Sequence, residues 1–60
     1  MWYFEAYYIN MDNDTESKRA IKFDGQFFNN EEEIYIYAMT KAYKEKKKNE
    51  TLVSLEFVAC

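Results

Sequence analysis

Histidine and proline are absent from this 60-residue sequence, and glycine and cysteine each occur once. Without histidine there is no Ser–His or Cys–His nucleophile pair and no imidazole general base. A single cysteine excludes an intrachain disulfide, and with no CxxC pair there is no zinc-ligand spacing. Apolar runs are only a few residues long, far short of the ~20 that span a bilayer. The N-terminus carries neither a basic region nor a long apolar stretch, so no signal peptide and no membrane segment are expected. A cytoplasmic location is the expectation, in the producing cell or in a host. The formal net charge is −3, so the chain also lacks the basic excess that marks a nucleic-acid-binding domain.

What the chain does have is aromatic side chains, which make up 20% of it. Each large ring can bury ~150–250 Å². A domain of this size buries only about 60% of its unfolded surface and usually leans on disulfides, metals or oligomerisation. With the first two lacking, ring burial and association with a second copy or a protein partner are the expected supports. Lysine outnumbers arginine seven to one, and Asn, Ile, Tyr and Phe are frequent. Their A/T-rich codons point to a bacterial, phage or mobile-element gene.

Residues 29–49 organise the rest. Asn30 with Glu33 has capping-box spacing: the Asn30 oxygen accepts from the first turn, and Glu33 reaches back to the Asn30 N–H. Glu31, Glu32 and Glu33 at the start, and Lys44, Lys46, Lys47 and Lys48 at the end, oppose the helix macrodipole. The alternation from Glu33 to Tyr37 also fits a strand, but the capped segment is too long for one. The pattern predicts a helix over 31–48. Ile34, Tyr35, Ala38, Met39 and Ala42 share its apolar face, with Tyr43 at the boundary and Ile36 and Tyr37 outside it.

Three β-rich segments surround this helix, at about 1–10, 18–24 and 51–59. In the first, Trp2, Phe4, Ala6 and Tyr8 point inward; Tyr3, Glu5, Tyr7 and Ile9 point outward. Ile21 and Phe23 are the inward residues of the second. In the third, simple alternation puts Val53, Leu55, Phe57 and Ala59 inside and Leu52, Ser54, Glu56 and Val58 outside. Asp24-Gly25 reads as a turn that redirects the chain, with Phe27 and Phe28 packing at the helix entrance. Asp12, Asn13 and Asp14 resemble the opening of a calcium loop, but Ser17 and Phe23 stand where Gly and Glu are needed. They read as turn residues.

The element order predicts an α+β fold: one two-layer β-β-α-β domain with an antiparallel three-stranded sheet in order 2-1-3 packed on the helix. On its outer face Glu5 is expected to meet Lys22, with Glu56 nearby.

No catalytic, cofactor or metal residues are expected. A two-layer domain of this size leaves little room for a ~300 Å³ pocket. Cys60 reads as a buried or frayed small hydrophobe near a strand end, the alternative being an exposed thiol that cross-links dimers on oxidation. The expected function is that of a small non-enzymatic interaction protein, self-associating or partner-bound through exposed apolar surface. One version is a homodimer through the helix, with Glu33, Ile36, Tyr37, Thr40, Tyr43 and Lys47 meeting their copies in an antiparallel crossing. A sheet-face interface would use Tyr3, Tyr7, Ile9 and Val58; pairing through an edge strand is a further version. The alternatives are nucleic-acid binding through Lys41, Lys44, Lys46, Lys47 and Lys48, and an acidic inhibitor using Glu31–Glu33, Glu50, Glu56, Asp12 and Asp14.

Overall fold

The computed structural model describes residues 1–25 and 28–60. Its order is β1 (Trp2–Asn10), β2 (Glu16–Phe23), α1 (Glu31–Glu45) and β3 (Glu50–Ala59). The strands form an antiparallel sheet in order β2-β1-β3, and α1 covers one face. This is the α+β arrangement that the element order implies.

β1 is central because it is the segment richest in Trp, Tyr, Phe and Ile, the residues that fill both faces of a pleated surface. Its helix-side residues Phe4, Ala6 and Tyr8 are buried with Ile21, Phe23, Leu55 and, from α1, Ile34, Ala38 and Ala42. The two alanines let the helix approach the sheet closely. The expected packing of Phe27 lies outside the described residues, but Phe28 does pack, its ring 5.9 Å from Phe23 and 5.2 Å from Tyr37.

β2 begins at Glu16 because Ile9 pairs with Glu16 and Tyr8 with Ser17. The connecting turn is correspondingly short. Asn10 Oδ1 accepts from the Asp12 N–H at 2.8 Å and Asn13 Oδ1 from the Thr15 N–H at 3.0 Å, while Asp14 adopts φ 59°. These local bonds account for the polar run as a turn.

Simple alternation fails in β3. The register shifts twice: Tyr7 pairs with Ser54 but Tyr8 with Leu52, and Tyr3 pairs with Ala59 but Phe4 with Phe57. Val53 and Val58 are thus each one residue too many for the partner strand, the signature of a β-bulge. Leu52 and Glu50 therefore face the helix side rather than solvent, Val53 is exposed, and Ala59 aligns with the outer-facing Tyr3.

The inward turn of Glu50 creates a polar lock that the apolar pattern does not reveal. Arg19, opposite Ala6, lies on the same side, and its Nη2 is 2.6 Å from Glu50 Oε2. Glu50, 5% exposed, also accepts from Ser17 Oγ at 3.3 Å and the Lys47 N–H at 2.9 Å. The Arg19 hydrogen bond, then the Lys47 N–H, hold its carboxyl at about 2, below an ordinary 4.5.

The same residues stop the helix at Glu45, three residues before the lysine run would have carried it. Tyr8 Oη donates to the Ala42 carbonyl at 2.6 Å, and Arg19 Nη1 donates to that of Glu45 at 3.2 Å. The Lys46 N–H donates to Tyr43 O at 3.3 Å, and Lys46 Nζ folds back on Glu50 O at 2.9 Å. Last-turn carbonyls that lack helical partners are thus satisfied from the sheet and from the chain just beyond α1.

Candidate functional site

The helix residues expected to form an interface share a broad face of α1, with Tyr37 and Tyr43 at its opposite edges. Tyr37 leans toward β2, its ring 4.8 Å from Phe23 and beneath Lys41 Nζ at 5.9 Å. Tyr43 lies six residues on, about 120° away around the helix, and borders β3 with Tyr35 and Met39. Ile36 and Thr40 are exposed, the Thr40 hydroxyl donating to the Ile36 carbonyl at 3.0 Å. Glu33 is occupied at the cap: its N–H donates to Asn30 Oδ1 at 2.9 Å, and its carboxylate accepts from the Asn29 N–H at 2.8 Å, not from Asn30. Lys47 falls beyond the helix end and keeps no helical register with Glu33.

On the outer sheet face, Glu5 stands opposite Ala20, so the lysines flank it diagonally. Lys18, rather than Lys22, makes the ion pair, at 3.4 Å; Lys22 is directly opposite Tyr3 and sits over its ring at 4.8 Å. Tyr7 Oη donates to Glu5 Oε1 at 3.1 Å and Tyr3 Oη to Oε2 at 3.4 Å. Hydrogen bonding to Glu5 raises the Tyr7 phenol, and the Glu5 charge raises Lys18. Ile9 is half-buried beside them, whereas Val58 occupies the second bulge of β3. The face is an internally paired polar strip.

The candidate nucleic-acid lysines divide as well. Lys41 and Lys44 flank α1 on the β2 side, Lys46 is bonded back to backbone, and Lys47 and Lys48 are exposed in the connection. The acids are equally scattered. Glu50 is buried in its ion pair, Glu56 lies opposite Glu5, Asp12 and Asp14 occupy the first turn, and Glu31 and Glu32 are at the helix start.

The structure gathers at one end of the sheet a group that the strand and helix patterns had placed facing the core, and leaves part of it uncovered. Trp2 and Phe4 from β1, Ile34 and Tyr35 from α1, and Phe57 from β3 line an open cleft of about 700 Å³, with Glu31, Glu32 and Cys60 beside them. The domain size led to the expectation of little room for a ~300 Å³ pocket; this cleft is larger than that because it is a groove open to solvent. On the β2 side of the helix start, Phe23, Phe28 and Tyr37 close against one another. On the β3 side, Phe57 remains 54% exposed and Tyr35 45% exposed.

Geometry within the cleft is defined by perpendicular rings. Phe57 meets Phe4 at 5.6 Å and 71°, and Tyr35 meets Phe4 at 6.2 Å and 72°. Trp2 leans on Phe57 at 5.7 Å and 56°. The Trp2 indole also lies against Gly25, where a side-chain Cβ would collide with its Nε1 and Cδ1, so the glycine is required by close approach. The signal for this site was an aromatic excess: Trp2, Phe4, Tyr35 and Phe57, contributed by three elements, converge at one end of the sheet.

Among the described residues, no group of His, Cys, Asp or Glu is arranged to hold a metal ion, and no helix is long and apolar enough to cross a membrane. No protein-family model, curated protein or solved structure matches the chain.

Proposed function

We propose that this protein is a non-enzymatic binding module whose receptor site is the aromatic cleft between the start of α1, the start of β1 and the end of β3. The observation that carries the reading is the pair Tyr35 and Phe57, each about half exposed in a cleft of about 700 Å³. Covering the exposed halves of two such rings removes ~200 Å² from water, about 5 kcal/mol before the cost of association. Glu31 and Glu32 beside the rings are exposed.

Titration of ¹⁵N-labelled protein with small apolar fragments such as indole and toluene tests this reading. Saturable shifts at Trp2, Tyr35 and Phe57 that vanish in Phe57→Ala are expected. Shifts spread along the outer face, or no saturable binding, would sink it.

A second reading is self-association along the Tyr35–Met39–Tyr43 flank. It is favoured by the charge layout of α1, with Glu31, Glu32 and Glu33 in its first turn and Lys44 in its last. Antiparallel copies centred on Met39 bring Tyr35 against the partner's Tyr43 and the acidic start beside the basic end. Sedimentation velocity should then show a dimer weakened by Tyr43→Glu and retained in Ile36→Glu. A monomer throughout the micromolar range refutes it.

A further inference from the structure

We propose that the cleft takes a methylated ammonium head group, the chemistry shared by choline-type small molecules and trimethylated lysine side chains. The proposal rests on the cleft being the binding site and adds the chemical class of its ligand. Phe4, 3% exposed and stacked on Phe23, backs the cleft, and the exposed rings of Phe57 and Tyr35 stand against it at 71° and 72°. Trp2 extends the Phe57 wall. Ring faces carry negative quadrupole density and attract cations within about 6 Å of the centroid.

The lining carries the matching sign. Glu31 and Glu32 stand beside the rings, and no Lys or Arg is among the cleft residues. Helix capping does not occupy them, because Asn30 and Glu33 perform it. Among the described residues, neither the Glu31 nor the Glu32 side chain has a hydrogen-bond or ion-pair partner. Their two full charges outweigh the partial positive charge of the helix start.

Ligand classes separate on this combination. An anion meets two carboxylates and negative ring faces. A neutral hydrocarbon fills the cup but gains nothing from the acidic rim. A bare lysine ammonium is a compact, strongly hydrated charge that must shed water to enter among rings. A methylated ammonium spreads its charge over an apolar methyl surface, so one group satisfies both the rings and the rim.

The test compares choline with 3,3-dimethylbutan-1-ol, its uncharged carbon isostere, at matched ionic strength. A trimethyllysine peptide is compared with its unmodified counterpart. Trp2 is the sole tryptophan, so its fluorescence reads the cleft directly. Cys60, which lines the cleft, supplies a second readout through its alkylation rate with iodoacetamide. Choline or the trimethyllysine peptide should bind at least about tenfold more tightly than its uncharged or unmethylated control. Occupancy should also slow Cys60 alkylation. The advantage should disappear in the Glu31→Gln/Glu32→Gln variant, and binding should be lost in Phe57→Ala, each checked for fold by circular dichroism. Tighter binding of the peptide assigns the side-chain source, and tighter binding of choline the small-molecule source. Equal binding of choline and its isostere, or of the two peptides, overturns the cation inference while leaving the cleft as a binding site. No quenching and no protection by any of the four overturns both.

Discussion

Replacing Tyr8 with phenylalanine removes one oxygen from a side chain that is 0% exposed, and little else changes. The ring stays packed between the sheet and α1, and Arg19 can keep its place over it, its Cζ 4.3 Å from the centroid. What is lost is the bond from Tyr8 Oη to the Ala42 carbonyl at 2.6 Å. The Lys46 N–H, which would be the helical partner of that carbonyl, donates to Tyr43 instead. Ala42 O is left without this donor, and an unsatisfied buried acceptor costs about 1–3 kcal/mol. Burial pushes the phenol pKa up, so the hydroxyl remains protonated and able to donate at neutral pH. A 60-residue domain has about 3–9 kcal/mol in total. The substitution should therefore remove a large share of the stability and lower Tm by about 8–24 °C. Urea unfolding followed by far-ultraviolet circular dichroism and Trp2 fluorescence gives the measurement. The midpoint should fall while m stays constant. A midpoint indistinguishable from wild type would refute the claim that this bond fastens the helix end to the sheet. Tyr7→Phe is the control, since its hydroxyl reaches Glu5 on the open face.

Acid should act through Glu50, whose folded-state carboxyl is lowered from 4.5 to about 2. Because the folded value lies below the unfolded one, the contribution is complete above the unfolded value and declines as pH falls through the interval toward the folded one. A urea-midpoint series across that interval should slope downward in wild type and flatten in Glu50→Gln; parallel slopes would reject the assignment. Gly25→Ala should push the Trp2 indole aside. The expected result is a shifted Trp2 emission maximum and impaired cleft binding with unchanged far-ultraviolet dichroism; unaltered emission and binding would show that the glycine does not set the ring.

The topology was legible because its causes are local and additive. Asn30 and Glu33 mark the helix start, apolar alternation marks β1, and handedness and antiparallel pairing leave β1 in the centre. The bulges were not legible, because Val53 and Val58 resemble any other strand valine, and only pairing against β1 makes them supernumerary. Everything downstream of that count was hidden with it: the inward Glu50, the exposed Val53 and the meeting with Arg19. The helix end was misplaced for a related reason. Four lysines suit a helix C-terminus, but the carbonyls there are claimed by Tyr8 and Arg19, residues more than twenty positions away in sequence. The cleft escaped because periodicity assigns Phe57 and Trp2 to a face and does not say how far along that face the helix reaches.

By count, Val53 and Val58 are spare. A chain without them would keep the facing of every other β3 residue, since each merely opposes a position that a neighbour already occupies. Their presence shapes the free edge of β3 rather than the core. A straight outer strand offers a row of backbone donors and acceptors to any extended chain it meets, and bulges bend and interrupt that row. The two extra residues therefore guard a small, aromatic-rich sheet against growing strand by strand. Removing both should yield a protein with the same interior that precipitates from concentrated solution.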